Sequence, residues 1–134
     1  MFGFVEDSIN LKVPREGVIR VTLSELTYFS KVSNTWIIVP VGLETDLGSI
    51  PTVLQPIFPK DGRATLAYIL HDYLYKIGYK NDRNLCDDIL KEAMISLGVG
   101  WFKVNSVRVG LKVGGSFAWD NHREDAIIEK SNWN

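Results

Sequence analysis

A chain of 134 residues has room for about one domain core and not for two independent ones. Its 46% hydrophobic and 23% charged residues lie near globular averages, which sets aside disordered and fibrous classes and predicts a folded, soluble protein. Lysine and arginine number 15 against 16 aspartates and glutamates, with neither sign gathered into a long block. The basic excess of a dedicated nucleic-acid binder is missing, so no nucleic-acid partner is expected.

Cys86 is the one cysteine, which leaves no intrachain disulfide and no cysteine-based zinc cluster. A small buried apolar residue is favoured over a reactive thiol. Residues 1–10 carry neither a basic run nor a sustained apolar stretch, so they do not read as a signal peptide. No segment approaches the ~20 apolar residues of a membrane span. Any action on a membrane is expected from its surface.

The first fifty residues predict strands. Residues 18–29 (VIRVTLSELTYF) are rich in β-branched and aromatic side chains, and residues 34–40 (NTWIIVP) follow a polar break at 30–33. Together they predict an antiparallel hairpin with one buried face. Residues 42–51 (GLETDLGSIP) mix turn formers with charge and close the strand region. After Pro51 comes a short apolar stretch, 52–58, closed by 59–62.

The periodicity then becomes helical. Leu66, Ile69, Leu70, Tyr73 and Leu74 predict a helix over 63–77, stopped by Gly78. Leu85, Ile89, Leu90, Ala93, Met94 and Leu97 predict an amphipathic helix over 82–97, stopped by Gly98. A third helix is expected from Trp101 to about Ala118. Its Gly110 and Gly114, four apart, fit close packing or a break better than a membrane dimer motif. Residues 119–134 are polar apart from 126–128 and two tryptophans, and are expected to form a tail or a partner-binding segment.

Strands followed by helices, with no βαβ alternation, define an α+β class. The expected organisation is a single α+β domain over 1–118, with an antiparallel hairpin and a cluster of about three helices, and a polar C-terminal tail over 119–134. No internal repeat is evident. Neither a dinucleotide fingerprint nor a P-loop follows a strand.

The residues suited to chemistry fall on the first two helices. Positions four apart share a helix face, so His71 and Tyr75 are neighbours while Asp72 points about 100° away. Asp87 sits at the edge of the second helix's apolar face, whereas Asp88 points away from it. A carboxylate at a helix interface needs a partner, and His71 on the preceding antiparallel helix is a natural one. Such an Asp would fix the imidazole tautomer and stabilise its protonated form, which makes His71 a candidate general base for a water. Asp72 could give oxygen to a hard cation such as calcium, with Asp46 in the 45–49 loop as the second carboxylate. A cation there would polarise a carbonyl beside the activated water.

The plainer reading stands beside this one. A histidine bonded to an acid between two helices is often only structural, and Tyr75 can simply pack with its hydroxyl at the rim. His122 lies among Asp120, Glu124 and Asp125, which fits a solvated charge cluster better than a metal site.

The run 39–51 (VPVGLETDLGSIP), then 70–75 (LHDYLY), then Arg83 with Asp87, Ala93 and Met94, resembles a family of small phage and prophage proteins catalogued as domain of unknown function 1353. The resemblance covers roughly residues 36–97. It implies a phage-related origin and no stated activity. More distantly, His71-Asp72 with Tyr75 and a later Asp87 is similar to the secreted phospholipase A2 pattern and its disulfide-free form in parvovirus minor capsid proteins. That resemblance implies His71 as the base for water, Asp72 as a calcium ligand, and Asp87 and Tyr75 as the groups that orient His71. The upstream segment 46–51 carries one glycine where that pattern has a Gly-rich calcium loop.

Three functions stand as expectations. The first is a calcium-dependent ester hydrolase of the phospholipase A2 type, acting at a membrane or cell envelope on a phospholipid surface. The second is a non-catalytic tail- or neck-associated virion protein whose partners are phage structural proteins. The third is a host-directed inhibitor. The expected locations are the phage virion or the host bacterial cytoplasm.

Overall fold

A computed structural model describes residues 1–15, 19–45 and 63–132, except the side chains of 113–118 and 124–132. The expected α+β class is what it shows: antiparallel strands come first and helices follow. Six short strands, β1 (Gly3–Phe4), β2 (Leu11–Lys12), β3 (Arg20–Thr22), β4 (Leu26–Ser30), β5 (Thr35–Val39) and β6 (Glu44–Thr45), form two three-stranded sheets. Their orders are β1-β4-β5 and β2-β3-β6, antiparallel throughout.

The hairpin lies where the alternation placed it. β4 and β5 pair from Leu26 opposite Val39 to Ser30 opposite Thr35. Leu26, Tyr28, Ile37 and Val39 point into the core, and Trp36 and Ile38 point out, which is the period-two pattern of a half-buried sheet. Asn34 closes the turn at φ 52, a left-handed conformation that asparagine tolerates better than most residues.

The run 18–29 is not one strand. The chain leaves the second sheet after Thr22 and enters the first at Leu26. Between them, Leu23 N–H donates to Asn10 O at 2.7 Å and Ser24 Oγ accepts from Asn10 N–H at 3.0 Å. Thr22 anchors the departure: its buried hydroxyl donates to Pro40 O at 2.8 Å and accepts from Leu43 N–H at 2.9 Å. Side-chain bonds of this kind compete with the strand ladder and bend the chain.

Three helices follow: α1 (Thr65–Ile77), α2 (Arg83–Ser96) and α3 (Trp101–Asn132). α1 ends at Gly78, whose φ of 61 and ψ of 49 are the left-handed cap geometry. A 3-10 turn over Tyr79–Asn81 leads to Asp82, which caps α2 by accepting from Leu85 N–H at 3.0 Å. α1, α2 and α3 each pack against the other two, and α2 also covers β1 and β4. The core therefore lies between the first sheet and the helices, with Ile69, Leu70, Leu74, Ile89, Met94 and Val104 fully or almost fully buried.

α3 does not stop near Ala118, where the apolar pattern fades; it runs on to Asn132. The polar stretch expected as a tail is thus helical over nearly all its length. Its Ala, Glu, Arg and Lys residues are good helix formers. Loss of an apolar stripe does not by itself end a helix, and Trp119, one residue past the expected end, still packs against the core.

Candidate functional site

His71 and Tyr75 come from successive turns of the α1 face that meets α2, and their rings are 4.1 Å apart at the centroids. Asp87, one turn into α2, reaches across to both. Its Oδ1 lies 2.8 Å from His71 Nε2 and accepts a 2.7 Å hydrogen bond from the Tyr75 hydroxyl. The side chains of His71 and Asp87 are 10% and 11% exposed, and Tyr75 is buried. Three side chains singled out in the sequence thus meet on one carboxylate oxygen.

The chemistry of that oxygen is directional. A carboxylate accepts and does not donate, so Nε2 carries the proton of a neutral imidazole and Nδ1 keeps the lone pair. The phenol of Tyr75 is pushed far above its ordinary pKa, first by burial and then by the hydrogen bond and charge of Asp87, with Arg83 partly offsetting them. It therefore stays protonated, and a donor, across ordinary pH. The arrangement can hold an imidazole in one tautomer, stabilise it when it gains a proton, and leave its second nitrogen to act on another molecule.

Asp72 occupies the next position of α1, about 100° round the helix from His71, and is half-buried. Asp46 falls in 46–62 and lies outside the described residues. Among the described residues, no group of three or more His, Cys, Asp or Glu side chains is placed to hold a metal ion.

Asp88 lies away from the apolar face of α2, as expected, and its side chain is 44% exposed. Its carboxylate pairs with Arg108 of α3 at 3.4 Å, both side chains well exposed, a contact that adds little in stability.

Two further polar features were not read from the sequence. Glu92, buried on α2, accepts from the Tyr28 hydroxyl at 2.8 Å and from Val32 N–H at 2.9 Å. Its position three residues after Ile89 puts a carboxylate on the apolar stripe, and that was the available signal. Trp119 and Arg123 of α3 reach the end of α1 beside Tyr75. Their spacing of four, in a stretch expected to be a tail, was the only hint.

An α+β chain with a His–Asp–Tyr set held between two helices is the class that fold and site define. The chain matches the family described as "Protein of unknown function (DUF1353)" over residues 21–109. That span is more than half of its length, and the protein belongs to this family. No curated protein and no solved structure matches the chain. No helix among the described residues is long and apolar enough to cross a membrane.

Proposed function

We propose that this is a phage- or prophage-encoded hydrolase of the phospholipase A2 type, in which His71 activates a water that attacks an ester carbonyl. The observation that carries the reading is the shared oxygen: Asp87 Oδ1 takes both His71 Nε2 and the Tyr75 hydroxyl. With Nε2–H committed to Asp87, Nδ1 is the nitrogen that removes the proton from water. Asp87 then stabilises the imidazolium, and Tyr75 keeps Asp87 from turning away. The same imidazolium returns the proton to the leaving alkoxide. These are the roles that the resemblance assigns to His71, Asp87 and Tyr75. A phospholipid ester is the substrate class that resemblance supplies. Calcium, on Asp72 and Asp46, belongs to the proposal as a requirement to be measured.

The test is fatty-acid release from vesicles of phosphatidylglycerol and phosphatidylethanolamine by the full chain, with calcium and with a chelator. Release by the wild type that His71→Ala and Asp87→Asn abolish supports the reading. Equal behaviour of wild type and His71→Ala sinks it.

A second reading, a non-catalytic tail- or neck-associated virion component, is favoured by one observation. The site is almost closed to solvent, with His71 and Asp87 side chains 10% and 11% exposed. Under this reading the set pins α1 to α2, and purified particles contain the chain in fixed stoichiometry. His71→Ala would then lower the melting temperature and change nothing else.

A further inference from the structure

Trp119 and Arg123 lie four apart on α3 and so project from one face of it. Both converge on the last turn of α1. Arg123 Nη2 donates to Tyr75 O and to Lys76 O, each at 2.8 Å. Carbonyls at the end of a helix lack the amides that would continue the ladder, and a cation suits the negative end of the helix dipole. Tyr75 O also accepts from Gly78 N–H at 3.2 Å, so this carbonyl is held from two sides.

The ring of Tyr75 is held as well. Trp119 meets it edge-on, with centroids 5.3 Å apart and planes at 81°, a favourable arrangement for two aromatic rings. The guanidinium of Arg123 lies over the Trp119 ring at 4.7 Å, so the two side chains brace each other. Gly78 makes the room: a Cβ there would overlap the guanidinium, and its φ of 61 already disfavours one.

We propose that Trp119 and Arg123 are positioning residues for the His71–Asp87–Tyr75 set, acting through the ring and the carbonyl of Tyr75 to keep its hydroxyl on Asp87 Oδ1. Asp87 in turn holds His71, so one turn of α3 bears on the orientation of the imidazole through Tyr75 and Asp87. The family match ends at residue 109, and the positioning turn lies beyond it. The working unit of this chain extends at least to Arg123. The catalytic consequence rests on the hydrolase reading; the geometric one does not.

The experiment follows the ring N–H of His71 by NMR at pH 7 in the full chain, assigned with the His71→Ala variant. In Arg123→Gln this proton exchanges with solvent about tenfold faster than in the wild type, the change expected when a charge-assisted hydrogen bond is lost. Arg123→Lys, whose ammonium can donate to the same carbonyls, restores most of the protection. Trp119→Leu, which leaves the carbonyl contacts in place, shifts the Tyr75 ring signals and the His71 proton, and serves if Arg123→Gln does not fold. Wild-type exchange in Arg123→Gln, or wild-type Tyr75 and His71 signals in Trp119→Leu, overturns the proposal. If the wild type releases fatty acid, Arg123→Gln lowers kcat and leaves KM unchanged. A wild type that releases none removes the hydrolase reading alone, and the exchange rates then decide the positioning role.

Discussion

The phenol of Tyr28 and the carboxylate of Glu92 form a 2.8 Å hydrogen bond that joins the middle strand of the first sheet to α2. The second oxygen of Glu92 takes Val32 N–H at 2.9 Å, in the turn between β4 and β5. One buried acid therefore fastens both the strand and its turn to the helix. Burial, then the bond to Glu92 and its charge, push the Tyr28 phenol far above its ordinary pKa.

Glu92→Ala leaves the Tyr28 hydroxyl and the Val32 amide without this acceptor. The Tyr28 hydroxyl is then a desolvated donor, which costs about 1–3 kcal/mol, while Val32 is exposed and its amide can turn to water. Glu92→Gln keeps one good acceptor oxygen and is the milder change. Urea unfolding of the two variants should rank them in that order, and equal midpoints would remove Glu92 from its structural role.

Under the hydrolase reading, His71→Ala removes the base itself. A positioned base contributes about 10²–10⁴-fold in rate, so the loss in fatty-acid release should fall in that range. Asp87→Asn keeps the shape but can present an amide N–H to Nε2, which favours the wrong tautomer. Its activity should fall with little change in fold by circular dichroism. Full activity in Asp87→Asn would detach the carboxylate from the reaction.

Cys86 is fully buried, and its thiol is pushed up to about 12 by burial first, then by the charges of Asp87 and Asp82, with Arg123 partly offsetting them. The thiolate is the reactive form. The folded chain should thus react with a disulfide reagent at pH 8 far more slowly than the urea-unfolded chain. A stability trend accompanies this with a definite sign. Above about pH 8.5 the unfolded thiol loses its proton while the folded one keeps it. This contribution to stability is intact below that pH and is lost progressively as pH rises toward 12. Urea midpoints measured from pH 7 to 10 should decline, and by less in Cys86→Ala.

Glu6 gives the acid counterpart. Its carboxylate accepts from Thr27 N–H at 2.7 Å and from Thr27 Oγ at 2.8 Å. Burial pushes its pKa up, but the backbone and hydroxyl bonds from Thr27 and its own backbone amide outweigh burial and hold it below the usual range. A depressed folded pKa gives stability that is present above the unfolded value and lost as pH falls through the folded one. Glu6→Gln should therefore narrow the gap between neutral and acid stability, by a small amount because the group is partly solvated. An unchanged acid profile would contradict it.

Much of the helical half was legible because its signals are local. Apolar spacing placed α1 and α2 to within two residues, and Gly78 marked the end of α1 by its cap chemistry. The pairing of His71 with Asp87 followed from assigning each residue a helix face. The strands were less legible. β1 and β2 are two residues each, too short for any periodicity, and the break between β3 and β4 depends on bonds to Asn10, more than ten residues away. Glu92 and Arg123 were missed for the same reason. A buried polar group is explained by its partner, and Tyr28, Val32 and the α1 carbonyls are distant in sequence.

The link between α1 and α2 has a bearing on variation within the family. Gly78, Lys80 and Asn81 all take positive φ, at 61, 50 and 52, so the reversal is completed in very few residues and sets the two helices side by side with little slack. Within the helical arms each added or deleted residue rotates the remainder of the helix by about 100° and shifts it by about 1.5 Å. A one-residue indel between Asp82 and Asp87 would present Cys86 or Asp88 to the imidazole in place of its partner. A whole turn restores the face of Asp87 but moves it about 5.4 Å along the helix, so natural insertions should gather outside the sixteen-residue interval that separates His71 from Asp87.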